Sequence, residues 1–184
     1  RCVFADGDVK GQKIVITGGA GRVGFYAIQW AKRAGATVIA TASNESDKEL
    51  CLSLGADAVV NHRSKNWGDD VVATCGGGKV QRVVDVEFGA NLPQVMNCAD
   101  VGCPIATYSS TQVREPQLPF LQMMFMDLTL RMVIVYAMPE TAKQQAVTDI
   151  NEALSSGQLK HRIAHAVPLH EHVRAHELIE QGGF

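Results

Sequence analysis

Gly19-Ala-Gly21-Arg-Val-Gly24 is an unbroken G-x-G-x-x-G, a spacing in which the backbone, not the side chains, does the binding. The first glycine permits a tight turn and the second lets the main chain approach a pyrophosphate. The third lets a helix pack closely on a strand. Free N–H groups at the helix start, with the positive end of its dipole, then hold the phosphates. Glycines also serve plain turns, so the flanks decide. Here the β-branched run Lys13–Thr17 precedes the motif, and Val23, Ala27, Ile28, Trp30 and Ala31 follow at helical spacing. The pattern points to a bound dinucleotide.

The end of the next β-branched run selects which one. An NAD site expects an acidic residue about 20 positions on, to accept the ribose hydroxyls. The sequence reads Ala40-Thr-Ala-Ser-Asn44, with no carboxylate before Glu45. Ser43 and Asn44 can donate to a 2′-phosphate, and Lys48 and Arg63 are candidate cationic partners, or else solvated charges. Such partners are worth about 1–3 kcal/mol, roughly a five- to 150-fold preference for NADPH.

Other clusters read more plainly. His161, His165, His170, His172 and His176 resemble a metal set by count, and His172 and His176 share a helical spacing that zinc accepts. No cysteine stands near them, and a solvated helix face is the expectation, with no metal. Cys98 and Cys103 read as small buried side chains. Met123-Met-Phe-Met126 reads as core, or as a surface covered by another domain or subunit.

The elements that must position these residues alternate. Strands are predicted at Lys13–Thr17, Thr37–Thr41, Asp57–Asn61, Arg82–Val86, Pro104–Tyr108 and Leu128–Tyr136, the last being the longest. Helices are predicted at Val23–Arg33, after a Ser46-x-x-Glu49 capping box, around Asp69–Cys75, near Pro93–Ala99, from Glu140 to Leu154 and from Leu169 to Glu180. Alternation at this spacing means βαβ units. The expected fold is an α/β Rossmann-type, doubly wound parallel six-stranded sheet in three αβα layers, formed by residues 1–184 as one domain.

Composition agrees. The 184 residues are 46% hydrophobic and carry a net charge of −2 from 17 basic and 19 acidic side chains, no footprint for nucleic acid. No apolar run reaches the roughly 18 residues of a membrane span. The five scattered cysteines fit a reducing, cytoplasmic compartment. The start at Arg1 and the end at Gln181-Gly182-Gly183-Phe184, with no strand after the last predicted helix, suggest a piece of a longer protein.

Thr17-Gly-x-x-Gly-x-x-Gly24 also satisfies the frame of extended short-chain dehydrogenases. That family needs Tyr and Lys four apart, whereas Tyr26, Tyr108 and Tyr136 are followed by Trp30, Gln112 and Glu140. The chain instead resembles the medium-chain dehydrogenase/reductase superfamily, in its zinc-free, zeta-crystallin-like quinone oxidoreductase branch. The residues that carry this are Ala20–Gly24, Ala34-Gly-Ala-x-Val38, Leu54-Gly-Ala-Asp57, Asn61-His-Arg63, Gly89-Ala-Asn91, Pro168-Leu-x-Glu171 and Ala175-His-Glu177. The resemblance implies cofactor contacts from Ala20, Gly21, Arg22 and Val23 at the pyrophosphate, and from Ser43 and His62 at the adenosine end. It also implies Asn91, then Tyr108, Ser109, Ser110 and Thr111, and the backbone of Ile134, Val135 and Tyr136 at the nicotinamide amide. Two positions depart from the family pattern: Asp47 stands where a lysine is expected, with Lys48 next, and Asp85-Val-Glu87 puts two acids after the fourth strand.

The superfamily places a separate, mostly β catalytic domain ahead of this one. The implied function is therefore the NADPH-binding domain of an oxidoreductase passing hydride to quinones or related enones and carbonyls. Its catalytic residues would lie in the absent domain, the isolated chain would be inactive, and a homodimer would pair through the last strand. A non-catalytic nucleotide-binding module, structural or sensory, is the alternative.

Overall fold

The computed structural model describes residues 1–181. Six parallel strands, β1 (Lys13–Ile16), β2 (Thr37–Ala42), β3 (Ala58–Asn61), β4 (Arg82–Asp85), β5 (Pro104–Thr107) and β6 (Thr129–Met132), lie in the order β3-β2-β1-β4-β5-β6. Seven helices join and follow them: α1 (Arg22–Arg33), α2 (Glu45–Ser53), α3 (Trp67–Thr74), α4 (Phe88–Cys98), α5 (Phe120–Phe125), α6 (Glu140–Ser155) and α7 (His172–Gln181). This is the doubly wound Rossmann arrangement the alternation predicts.

Side chains alternate across the sheet and build two cores. Val15, Ile39, Val60, Val83 and Ile105 pack on one face against Val71 of α3 and Leu92 and Val95 of α4. Ile14, Ile16, Val38, Ala40 and Val84 pack on the other against Phe25, Ile28 and Ala31 of α1 and Cys51 of α2. The order reverses at β1/β4, opening a crevice at the strands' C-terminal ends, where such sheets bind ligands.

Four elements differ from the sequence expectation. Helix α2 begins at Glu45, one residue before Ser46. Its N-cap is Asn44, whose side chain accepts from the Asp47 amide, so the capping exchange sits at 44/47. Helix α4 begins at Phe88, with Pro93 inside it. The Phe88 amide donates to the Ser109 carbonyl and the Gly89 amide to Ser110 Oγ, so the loop after β5 satisfies its first turn. Strand β6 is four residues long, not nine. Its partner β5 ends at Thr107, whose carbonyl takes the Val133 amide, and the chain then turns into a 3₁₀ segment at Val135–Ala137. The methionine run forms α5, with Met123 buried and Met124 and Phe125 exposed.

The N-terminal segment is pinned under the sheet by a device the sequence did not announce. Buried Arg82 donates to the carbonyls of Val3 and Asp6, and Arg131 forms a bidentate pair with the Asp6 carboxylate. That hydrogen-bonded guanidinium holds the Asp6 carboxyl below its ordinary range. Gly182, Gly183 and Phe184, part of the expectation about the chain's end, lie outside the described residues.

Candidate functional site

The glycine turn leaves β1 and enters α1 with backbone that side chains could not share. The left-handed residue of the turn is Gly18, at φ +62°, one place ahead of the motif that assigned the tight turn to Gly19. Gly19 is needed for room: a Cβ there would stand 2.8 Å from Ala40 Cβ and from Cys51 Sγ. At Gly24 a Cβ would stand 2.3 Å from the Gly18 carbonyl oxygen, so α1 rests directly on the turn. Gly21 is the N-cap of α1, and among the described residues no side chain caps that end and no acid lies in its first turn. The first amides of α1 therefore face outward beside Ala20, Arg22 and Val23, the arrangement that holds phosphate.

A polar floor lies under the crevice. The Thr17 hydroxyl donates to Asp85 Oδ1 at 2.7 Å and accepts from the Val86 amide; the Asn91 amide donates to the same Oδ1 at 2.7 Å. Thr41 Oγ1 accepts from the Gly18 amide and fixes the turn to β2. Asp85 is fully buried, and its Oδ2 has no partner among the described residues. Burial pushes this carboxyl up, against the hydrogen bonds from Asn91 and Thr17. Above the floor is a cavity of about 430 Å³, walled by Thr17, Gly18, Thr41, His62, Trp67 and Asn91. Burial, aided by Arg63, pushes the His62 imidazole down toward its neutral form. The structure thus brings Asn91 and His62 together with the glycine turn. It adds Thr17, Thr41 and Asp85, which stand at or just after strand ends, and Trp67, the first residue of α3.

At the end of β2, two of the four expected phosphate partners, Asn44 and Lys48, are already engaged within α2. The Asn44 amide group donates to Asp47 Oδ2 at 2.8 Å, and Lys48 Nζ lies 2.9 Å from Glu45 Oε1. Ser43 is half-buried and Arg63 is exposed beside the end of β3.

The loop after β5 closes on itself. Ser110 Oγ accepts from the Gly89 amide and donates to the Val113 carbonyl. Glu87 accepts from the amide and hydroxyl of Thr111 and from the Gln112 amide. Burial would raise the Glu87 carboxyl, but these bonds outweigh it and hold it low. Ser110 and Thr111 thus shape the rim, their hydroxyls engaged within the chain. Ser109 holds α4 through its carbonyl, half-buried Tyr108 has its phenol pushed up by burial, and Ile134, Val135 and Tyr136 are exposed past β6.

A family model described as zinc-binding dehydrogenase matches residues 23–152. The chain belongs to the zinc-binding dehydrogenase family. Among curated relatives it is 26% identical to quinone oxidoreductase of Sus scrofa, over 91% of this chain and 50% of the relative. It is 25% identical to that of Homo sapiens, over 94% and 52%. Of solved structures, an NAD-dependent alcohol dehydrogenase matches with TM-score 0.82 and 27% identity, over 98% of this chain and 51% of that one. Escherichia coli quinone oxidoreductase complexed with NADPH matches with TM-score 0.82 and 22% identity, over 97% and 57%, a likeness of fold. This zinc-binding dehydrogenase chain spans about half the length of the curated relatives it matches. The resemblance to a medium-chain dehydrogenase/reductase cofactor-binding domain is borne out.

Among the described residues, the cysteines and histidines do not gather into a donor set for the zinc of the family's description. Cys98 and Cys103 are buried with thiols pushed up to about 12 by burial, and Cys51 to about 11. Among the described residues no group of three or more His, Cys, Asp or Glu is placed to hold a metal. The dinucleotide fits: the cradle that Cβ atoms would fill and the uncapped α1 are shaped for its phosphates.

Proposed function

We propose that residues 1–184 are the NADPH-binding domain of an oxidoreductase that passes hydride to quinones or related enones and carbonyls. One observation carries the reading: the Gly18–Gly24 cradle opens an uncapped helix at the switch point of a β3-β2-β1-β4-β5-β6 parallel sheet. When bound, the nicotinamide supplies the hydride, and the domain's part is to orient it. Ala20, Gly21, Arg22 and Val23 flank the pyrophosphate, Ser43 and His62 lie around the adenosine end, and Asn91 contacts the cofactor after β4. The exposed backbone at Ile134, Val135 and Tyr136 faces the carboxamide. The acceptor class follows the quinone oxidoreductases among the relatives, and the substrate face belongs to a catalytic domain outside this chain. No described helix is long and apolar enough to cross a membrane, and the five cysteines are free thiols, which supports a cytoplasmic protein.

Preference for NADPH over NADH sits near the low end, about fivefold, because Glu45 and Asp47 occupy Lys48 and Asn44 beside the 2′-phosphate position. Parallel titrations with NADPH and NADH at fixed salt test this; equal constants, or tighter NADH, refute it. The full-length parent reduces quinones with NADPH, whereas the 184-residue chain alone gives the no-enzyme rate, since donor and acceptor must be held together in a closed cleft. Turnover by the isolated chain overturns that division of labour. Strand β6 ends the sheet and pairs with its copy in a homodimer; a monomer by light scattering at high concentration refutes this.

A further inference from the structure

Beside the glycine turn opens a second cavity, of about 820 Å³, whose C-terminal wall has no part in the site described above. Ala20, Gly21 and Arg22 line it at one end, and Arg162 and His165 face them. Phe25, Ile163 and Leu178 supply apolar wall, and among the described residues no carboxylate lines it.

Arg162 stands there because the chain before it is fastened to α1. Gln29, buried on α1, donates to the Lys160 carbonyl at 3.3 Å and accepts the Lys160 amide at 2.7 Å. Lys160 Nζ donates to the Ser53 carbonyl at 2.6 Å, and the Tyr26 hydroxyl meets His161 Nδ1 at 3.2 Å. This strap runs along α1 toward its N-terminus and delivers the Arg162 guanidinium to the Ala20 carbonyl, at 3.5 Å. A guanidinium has five N–H donors in a fixed fork, and that long contact to a neutral carbonyl engages one. The Arg22 side chain, at the same mouth, makes no hydrogen bond or ion pair among the described residues. Two guanidinium groups thus flank outward-facing amides where no carboxylate competes, which is the charge pattern an oxyanion pair recognises.

We propose that Arg162 is a ligand of the cofactor diphosphate, reaching it from the C-terminal segment across the glycine turn from Arg22. The inference rests on the dinucleotide reading above and adds to it a binding residue more than a hundred positions beyond the motif. Bound cofactor then ties the Lys160–Arg162 strap to the turn, and the diphosphate is held from both sides.

The test measures dissociation constants of the 184-residue chain for NADPH, NADH, ADP and adenosine, with Arg162→Gln and Arg162→Lys beside the unsubstituted chain. Arg162→Gln weakens NADPH, NADH and ADP alike by about tenfold and leaves adenosine unchanged, because only adenosine lacks the diphosphate. Its salt dependence also becomes shallower, and Arg162→Lys recovers part of the loss. Affinities within twofold of the unsubstituted chain for all four ligands overturn the inference, and so does an equal loss for adenosine, which marks a disturbed fold. An unsubstituted chain that binds neither NADPH nor ADP overturns the dinucleotide reading and this inference with it.

Discussion

Alanine at position 24 weakens NADPH binding by about a hundredfold and lowers the melting temperature by about 2–12 °C. The reason is contact with backbone, which cannot swing away. The new Cβ would stand 2.3 Å from the Gly18 carbonyl oxygen and 2.8 Å from Gly19 Cα, so α1 must lift off the turn. Overpacking of this kind costs about 1–3 kcal/mol, and at this chain length each kcal/mol moves the midpoint by about 2–4 °C. Lifting the helix also moves its outward amides off the phosphates, a loss of charge-assisted bonds worth about 3 kcal/mol. Gly21→Ala separates the two effects. Its Cβ meets only the Gly18 oxygen, at 3.1 Å, on the exposed side of the turn, so stability changes little while the approach of phosphate is obstructed. Calorimetric titration and thermal melts of both variants decide it. A Gly24→Ala chain with unchanged affinity shows that α1 does not carry the phosphates.

The glycine turn was legible because its constraint is local. Three glycines at fixed spacing, a β-branched run before and a helical stripe after leave few alternatives, and the alternation of six strands with helices implies a parallel, doubly wound sheet. What the sequence obscured depends on partners distant along the chain. The start of α4 is set by Ser109 and Ser110, about 20 residues later, and the length of β6 by where β5 ends. Lys48 reads in the sequence as a phosphate partner or a solvated charge; with α2 starting at Glu45, that carboxylate lies on the same turn and pairs with it. Glu87 was visible as an acid after a strand, but its partners Thr111 and Gln112 lie across the crevice. Hydroxyls assigned outward to the cofactor turned out to be bonded inward, since a polar residue at a strand's end has the same signature either way.

Asp85 shows that ambiguity most sharply, and replacing it separates its roles. Asp85→Ala lowers stability by about 2–4 kcal/mol: the Thr17 hydroxyl and the Asn91 amide both lose their buried acceptor, each such bond being worth about 1.5–3 kcal/mol, less the relief of an uncompensated charge. Asp85→Asn keeps an oxygen at Oδ1 and removes the charge, so near neutral pH it melts within about 1 kcal/mol of the unsubstituted chain. Their pH dependences then part. Burial raises the folded carboxyl of Asp85 above its ordinary 3.8, so between those two values the folded chain keeps a proton that the unfolded chain has released. Stability from this group is therefore full below 3.8 and is lost as pH rises from there through the raised folded value. Asp6 and Glu87, both held low, act with the opposite sign. Their stabilisation is present above their unfolded values and is lost as pH falls through the folded ones. Subtracting the Asp85→Asn melting curve from that of the unsubstituted chain cancels these shared carboxylates and leaves Asp85 alone. The difference moves in favour of aspartate on acidification from neutral pH toward 3.8. A difference that stays flat with pH, or moves against aspartate, shows that Asp85 titrates no differently in the folded and unfolded chain, and its unpartnered oxygen must then be solvated in solution.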